Sequence, residues 1–262
     1  MFVGRVDCPS EVLQRKTGLT LVLPQQTPSR LDCIEAQPAT FPVLFLLHGL
    51  HGNHTEWLEK TRIVDYAGDR GIAVVMPDGG KSFYADEAHG DSYWTYLTTE
   101  LPTVLRRWVR WSGLPSDTYV AGNSMGGYGA FKWALRHPDR FAAAASLSGS
   151  LDLAGRIDRP GGFDLKLWDT IFDGKPITDT PNDLLWLLRE GGSHPGLPRL
   201  WVGCGHTDDL RGESERFVDA AIRHGVTPTL DFGPGDHTWP YWDQAIKRVI
   251  DWLPLRRPTV PR

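Results

Sequence analysis

Residues 118–136 read TYVAGNSMGGYGAFKWALR and predict three local structures in succession. The run Thr118–Ala121 contains the β-branched and aromatic residues that are typical of a buried strand. Gly122-Asn123-Ser124-Met125-Gly126 then places a serine between two glycines, and Gly127–Arg136 has apolar residues at helical spacing. The segment therefore predicts a strand, a tight turn and a helix, with Ser124 in the turn.

A serine in this setting is typical of the nucleophile elbow of serine hydrolases. Its backbone must be strained, and Gly122 and Gly126 leave space that larger side chains would obstruct. The turn also places the amide of Met125 at the amino end of a helix, where unpaired N–H groups favour a developing oxyanion. We therefore predict Ser124 as a nucleophile and Met125 as one donor of an oxyanion hole. The alternative is a glycine-rich turn with a helix-capping serine.

Short apolar runs bounded by Gly, Pro, Asp or Asn recur along the chain, and stretches with helical periodicity separate most of them. A run as apolar as Val43–Leu47 is typical of a strand that is buried on both faces of a sheet. The predicted strands are Leu19–Leu23, Val43–Leu47, Ile72–Met76, Thr118–Ala121, Ala142–Leu147, Leu200–Val202 and Thr229–Phe232. The predicted helices are Glu56–Arg70, Leu97–Trp111, Gly127–Arg136, Glu213–His224 and Tyr241–Trp252.

This alternation predicts the α/β class, with a mostly parallel central sheet and helices on both faces. Together with the elbow, it indicates the α/β-hydrolase fold. The N-terminal residues lack the alternation and predict an antiparallel hairpin at the sheet edge. Residues 151–198 are rich in proline and glycine and contain a helix-like Asp183–Arg189, which predicts an excursion over the carboxyl edge of the sheet. We expect a single domain over residues 1–255, with a cap or insert at 151–198 and a tail at 256–262.

Charge and composition exclude several classes of partner. The chain has 28 basic and 32 acidic residues and a formal net charge of -4, with no basic stripe, so neither nucleic acid nor a membrane surface is an expected partner. No apolar run is long enough to span a bilayer, and we predict a cytoplasmic protein. The three cysteines, Cys8, Cys33 and Cys204, are widely spaced and are expected to be free thiols. Assembly into a homo-oligomer stays open.

The partners of a nucleophilic serine follow it in the order acid, then histidine, each in a loop after a strand. Leu200–Val202 leads into a glycine-rich loop that ends with the adjacent carboxylates Asp208 and Asp209. Residue type and position alone leave both as candidates for the acid. His237 lies in a turn-rich loop after the last predicted strand, and we predict it as the general base.

The loop His48–Asn53 follows the strand Val43–Leu47, at the position that supplies the second N–H of an oxyanion hole. We assign that donor to the amide of Leu50. Two groups of residues also suggest metal ligands, but glycines argue against a helix in the first and a solvated loop explains the second. The groups are His48, His51, His54 and Glu56, and Asp86, Glu87, His89 and Asp91. We therefore predict no metal and no cofactor.

Several aromatic residues lie in connections or at helix starts, where they could line a substrate pocket. Of these, Trp57, Tyr84, Trp94 and Trp239 are predicted as pocket residues, with core packing as the alternative.

These segments together resemble a known family, the "putative esterase" (esterase D-like) family of α/β-hydrolases, most closely its tributyrin-esterase type. The resemblance extends over nearly the whole chain. The matching segments are Val43–Trp57, Val74–Pro77, Leu101–Val104, Ala121–Lys132, Cys204–Leu210 and His237–Trp242.

The resemblance implies that the acid is Asp208, because the family's aspartate ends a C-G-x-x-D segment. It also implies His237 as the base, Leu50 and Met125 as oxyanion donors, and hydrolysis of small carboxylic esters, preferably with short acyl chains, through an acyl-enzyme. A thioesterase of the S-formylglutathione hydrolase type, an acyltransferase of the same fold, and a binding module that has lost catalysis are the alternatives. The chain departs from the family in Asn123, where Leu or Gly is frequent, and in residues 151–198, which match no motif.

Overall fold

The computed structural model describes residues 1–25, 40–157, 162–192 and 194–255. Within these residues, eight strands form one sheet in the order β1-β2-β4-β3-β5-β6-β7-β8. The strands are β1 (Phe2–Ser10), β2 (Arg15–Leu23), β3 (Val43–Leu47), β4 (Ala73–Pro77), β5 (Thr118–Asn123), β6 (Ala143–Leu147), β7 (Arg199–Gly205) and β8 (Thr229–Gly233). Cys33 and the predicted tail at 256–262 lie outside the described residues.

The direction of the strands matches the predicted fold class. β1 and β2 form the antiparallel hairpin at the edge, and β2 pairs antiparallel with β4. Every pair from β4 through β3, β5, β6 and β7 to β8 is parallel. The loops that follow β3, β5, β7 and β8 therefore leave the sheet at one common edge. That edge carries Leu50, Ser124, Asp208 and His237.

Helices cover both faces of the sheet. They are α1 (Glu56–Lys60), α2 (Ile63–Arg70), α3 (Tyr93–Thr95), α4 (Leu101–Trp108), α5 (Met125–Arg136), α6 (Leu153–Arg156), α7 (Leu165–Phe172), α8 (Leu184–Gly191), α9 (Arg211–Arg223) and α10 (Trp239–Trp252). Phe45 and Leu47 of β3 point into a core shared with α5 and α9, whereas Leu44 and Leu46 point into a core shared with α2 and α10. The alternation explains why this strand is apolar at every position.

Two predicted helices differ from the observed ones. The predicted helix Glu56–Arg70 is divided into α1 and α2, because Thr61 adopts an extended backbone with φ −137° and ψ 168°. The predicted helix Leu97–Trp111 instead begins at Tyr93, ends at Trp108 and contains a π-helical stretch, Tyr96–Glu100.

Pro102 explains the π-helical stretch. It has no N–H to donate to the carbonyl of Thr98, four residues earlier, and its ring would collide with that oxygen in a regular helix. The released carbonyl of Thr98 accepts a hydrogen bond from Nη1 of Arg140 instead, at 2.6 Å. The carbonyl of Thr98 therefore keeps a hydrogen-bond partner in the wider turn.

The excursion after β6 contains three helices, α6, α7 and α8, where the sequence indicates only the last. Its described residues pack against α5 and the loop that follows β4. The hydroxyl of Tyr128 donates to the carbonyl of Asn182 at 2.6 Å, and the amide of Ala88 donates to the carbonyl of Ile171 at 3.0 Å. In the part of the chain that the structure describes, no helix combines the length and the apolar composition needed to cross a bilayer.

Candidate active site

Ser124 occupies the predicted turn between β5 and α5. Its φ of 53° and ψ of −118° place it in a region that residues other than glycine rarely adopt, and α5 begins at the next residue. A Cβ atom on Gly126 would overlap the carbonyl of Leu47 in the neighbouring strand, so this position tolerates only glycine. The close approach of β3 and α5 therefore makes the turn tight, and the side chain of Ser124 projects from it toward solvent.

Three side chains from different loops meet at this edge of the sheet. Nε2 of His237 lies 3.0 Å from Oγ of Ser124, and Nδ1 of His237 lies 3.0 and 3.1 Å from the two oxygens of Asp208. Asp208 is buried, whereas Asp209 is exposed and makes no contact with His237 among the described residues. The structure thus brings together Ser124, His237 and Asp208 and leaves Asp209 outside.

The carboxylate of Asp208 stays ionised because its neighbours donate to it. Burial acts to raise its pKa, but hydrogen bonds from His237, from the amide of Leu210 and from Ser148 hold the pKa below its usual value. An ionised carboxylate at this point favours a proton on Nδ1 of His237, which leaves Nε2 free to accept the proton of Ser124.

Ser148 is a site residue that the sequence reasoning missed. It is buried, its φ is 50°, and its hydroxyl accepts a hydrogen bond from Nε1 of Trp242 at 3.1 Å while it also bonds to Asp208. The ring of Trp242 stands edge-on to that of His237, with the centroids 4.9 Å apart. The available signal was the Ser148-Gly149 pair, which directly follows a predicted strand at the same edge.

The two predicted oxyanion donors, Leu50 and Met125, flank Ser124. Met125 is the first residue of α5, so its amide has no carbonyl one turn earlier in the helix to bond. Leu50 follows Gly49, whose missing Cβ would lie 3.5 Å from Cβ of Ser124. Both amides therefore belong to backbone that borders the serine.

A cavity of about 480 Å³ opens at Ser124 and His237. Its apolar wall consists of Leu50, Trp239, Pro240 and Trp242, and the described residues of the excursion after β6 do not line it. A smaller cavity, of about 300 Å³, lies at the opposite edge of the sheet beside Arg106 and Arg140 and does not reach the serine.

Of the four aromatic residues predicted to line the pocket, Trp239 does so and the other three do not, as far as the described residues show. Trp57 is buried behind Trp239, and its Nε1 donates to the carbonyl of Leu47 at 3.0 Å. Tyr84 is buried beneath the loop that contains His48. Trp94 stacks on His137, beyond the core side of α5. For these three residues the alternative prediction holds: their rings pack in the core and do not line the pocket.

Asn123 is a second residue whose position the sequence did not reveal. It borders the cavity and is buried, and its Oδ1 has no hydrogen-bond partner among the described residues. Its Nδ2 lies against Gly49, on the loop that carries Leu50.

The residues considered above as metal ligands make other contacts. Nδ1 of His54 bonds to the hydroxyl of Thr20 at 2.8 Å, and His89 pairs with Asp173 at 2.7 Å. The described part of the chain contains no group of three or more histidine, cysteine or acidic side chains placed to hold a metal ion.

A family model described as "Putative esterase" matches residues 10–253. An acetyl esterase from Caldicellulosiruptor saccharolyticus is 24% identical over 97% of this chain and 98% of its own length. Two solved structures from Staphylococcus aureus are each 31% identical and cover 96% of this chain and 98% of theirs. They are the substrate-bound fluorophosphonate-binding serine hydrolase FphF, with a TM-score of 0.89, and the S-formylglutathione hydrolase FrmB, with a TM-score of 0.85.

Proposed function

The chain belongs to the "Putative esterase" family and is a serine esterase, and we propose that it hydrolyses short-chain carboxylic esters with Ser124, His237 and Asp208 as its catalytic triad. The observation that carries this proposal is the unbroken line of hydrogen bonds from Ser124 through His237 to Asp208 at the mouth of the cavity.

In the first half of the reaction, Ser124 attacks the carbonyl carbon of the ester while Nε2 of His237 takes the hydroxyl proton. Asp208 keeps the imidazole in the tautomer that can accept this proton and stabilises the imidazolium that forms. His237 then returns the proton to the alkoxide oxygen, and the alcohol leaves. The acyl group remains bound to Ser124.

The amides of Leu50 and Met125 donate to the oxygen that becomes negatively charged in the tetrahedral intermediate. Each such donor contributes about 3 kcal/mol, or about two orders of magnitude in rate. Met125 adds the partial positive charge at the amino end of α5. In the second half of the reaction, a water molecule attacks the acyl carbon while His237 takes its proton. The bond between the acyl carbon and Oγ of Ser124 then breaks, His237 returns the proton to Ser124, and the acid is released.

The size and lining of the cavity support small substrates. The rings of Trp239 and Trp242 meet edge to face, with centroids 5.0 Å apart, and Trp242 also contacts His237. A rigid aromatic wall this close to the imidazole favours a short acyl chain. The acetyl esterase relative agrees with that preference.

Replacement of Ser124 tests the assignment of the nucleophile. We expect Ser124→Ala to lower the turnover of p-nitrophenyl acetate by about 10⁵- to 10⁶-fold and to abolish covalent labelling by a fluorophosphonate, with the circular dichroism spectrum unchanged. If the variant retains most of the activity, another residue is the nucleophile.

A panel of substrates tests the proposed acyl group. Among p-nitrophenyl esters from acetyl to dodecanoyl, kcat/KM should be highest for the two- to four-carbon chains. S-Formylglutathione is the second substrate to measure, because a similar structure is an S-formylglutathione hydrolase. A higher kcat/KM for this thioester than for any oxygen ester would replace the carboxylesterase proposal with that of a thioesterase.

A cytoplasmic location is part of the same proposal. Cys8 and Cys204 are buried free thiols, and burial raises the pKa of both, which is in keeping with a reducing compartment. Fractionation of cells that produce the native protein tests this location.

A further inference from the structure

The loop that follows β4 contains two consecutive strained residues outside the catalytic triad. Phe83 and Tyr84 have φ values of 48° and 49°, a region that aromatic residues rarely adopt. The turn is held by Ser82, whose hydroxyl donates to the carbonyl of Gly79 at 2.6 Å and accepts from the amide of Tyr84 at 3.0 Å. Strain of this kind persists only where the surrounding structure requires one conformation.

The strain places the ring of Tyr84 against α5. A Cβ atom on Gly129 would overlap this ring, so the helix leaves a space for it. The ring is only 1% exposed, and its hydroxyl donates a hydrogen bond of 2.9 Å to the carbonyl of His48. Burial raises the pKa of Tyr84 well above its usual value, so the hydroxyl keeps its proton and acts as a donor.

The same loop fixes the imidazole of His48. The amide of Gly79 donates to Nε2 of His48 at 2.8 Å, so this nitrogen carries no proton and the proton resides on Nδ1. Nδ1 lies 2.8 Å from the carbonyl oxygen of Gly49 and therefore donates to it. The carbonyl of His48 thus accepts a hydrogen bond from buried Tyr84, and the carbonyl of Gly49 accepts one from buried His48.

The carbonyl of Gly49 sets the direction of the Leu50 amide. The C=O of Gly49 and the N–H of Leu50 belong to one planar trans peptide, in which they point in opposite directions. Because Nδ1 of His48 and the amide of Gly52 both donate to the C=O of Gly49, at 2.8 and 3.0 Å, the N–H of Leu50 faces the other side.

We propose that Tyr84 is a positioning residue of the oxyanion hole: by holding the carbonyl of His48 it fixes the peptide that precedes Gly49, and with it the loop backbone from which the amide of Leu50 points. This inference rests on the proposed role of Leu50 in the esterase reaction.

Lys132 secures the strained turn from below. Its Nζ donates to Oδ1 of Asn182 at 2.8 Å and lies 3.5 Å from the carbonyl of Phe83. Nζ also lies over the ring of Trp94, 4.9 Å from the centroid. Lys132 and Gly129 belong to α5, the helix that begins with Met125. One helix therefore provides one oxyanion donor directly and positions the other through Tyr84.

The chain contains a matched control. Tyr128 is also buried and also donates its hydroxyl to a backbone carbonyl, that of Asn182 at 2.6 Å. Its acceptor lies in the excursion after β6 and not in the oxyanion loop. Tyr84→Phe and Tyr128→Phe therefore each remove one buried hydroxyl and one hydrogen bond to a carbonyl. They differ in whether the carbonyl precedes Gly49.

The test compares both variants with the wild-type enzyme on p-nitrophenyl acetate, with active sites counted by fluorophosphonate titration. We expect Tyr84→Phe to lower kcat about tenfold with KM within twofold, because misorientation of one donor forfeits part of its effect. Tyr128→Phe should leave both constants within twofold. A trifluoromethyl ketone, which forms an anionic adduct with the serine, should bind Tyr84→Phe about tenfold more weakly and Tyr128→Phe as tightly as the wild type.

An equal fall in kcat for the two variants, or an unchanged kcat and ketone affinity for Tyr84→Phe, would overturn the positioning role. Failure of the proposed function would give a different result, namely retention of most of the esterase activity in Ser124→Ala. Normal fluorophosphonate labelling together with an unchanged kcat in Tyr84→Phe would defeat this inference alone.

Discussion

Replacement of Asp208 by asparagine should disable the triad by reversing one hydrogen bond. Oδ1 of Asp208 accepts the amide proton of Leu210 at 2.8 Å, and both carboxylate oxygens face Nδ1 of His237. An asparagine can keep the bond to Leu210 only through its carbonyl oxygen. Its NH₂ group then faces His237, which must turn an unprotonated Nδ1 toward it.

In that tautomer the proton lies on Nε2, and the imidazole can no longer accept the proton of Ser124. A wrong tautomer of this kind costs about 10⁴-fold in kcat, equivalent to about 5 kcal/mol of transition-state stabilisation. Asparagine and aspartate have nearly the same volume, so the free energy of unfolding at pH 7 should fall by much less than the loss of transition-state stabilisation.

The assay is the steady-state hydrolysis of p-nitrophenyl acetate at pH 7.5 by Asp208→Asn, with Asp209→Asn as the control. Asp209 is exposed, and its replacement should leave kcat within twofold. If Asp208→Asn retained more than a tenth of the wild-type kcat, or if Asp209→Asn were the more damaging change, the assignment of the acid would be wrong.

Three further substitutions test the scaffold. Gly126→Ala should lower the free energy of unfolding by about 3 kcal/mol in urea denaturation and abolish esterase activity, because the new Cβ overlaps the backbone of β3; a stable, active variant would contradict the close packing of the elbow. Burial and the charge of Arg136 lower the pKa of Lys132 in the folded protein well below its usual value. At pH values between that lowered pKa and about 10.4, the unfolded chain therefore carries a proton on Lys132 that the folded chain does not. In thermal melts, the stability of the wild type relative to Lys132→Met should therefore increase as the pH rises from 7 toward 10. A stability difference that does not change with pH would contradict the lowered pKa of Lys132. Glu213→Gln should cost about 3 kcal/mol without changing kcat, because it breaks the buried ion pair with Arg156 at 2.8 Å; equal denaturation midpoints would show that the pair is neutral for stability.

Features formed by consecutive residues were predictable from the sequence, and contacts between distant residues were not. The elbow around Ser124 was predictable because its strand, turn and helix are consecutive and each has its own residue pattern. The limits of the helix predicted at Leu97–Trp111 were less accurate, although Pro102 within it was a visible signal of disruption. Residues 151–198 were the least predictable, because α6 and α7 are short and depend on tertiary contacts: α6 pairs with α9 through Arg156 and Glu213, and α7 accepts backbone hydrogen bonds from the loop after β4.

The fold class, the nucleophile candidate and the chain order of its partners could be predicted from the residues alone, since each depends on periodicity or on residues that are close together in the chain. It did not distinguish Asp208 from Asp209, which have the same chemistry and adjacent positions; the family resemblance chose Asp208. Only the tertiary structure revealed that Asp208 faces His237, that Ser148 supports it, and that Tyr84 bonds to a carbonyl 36 residues away. These contacts join side chains whose approach depends on how the sheet brings its loops to one edge, and no local pattern encodes that approach.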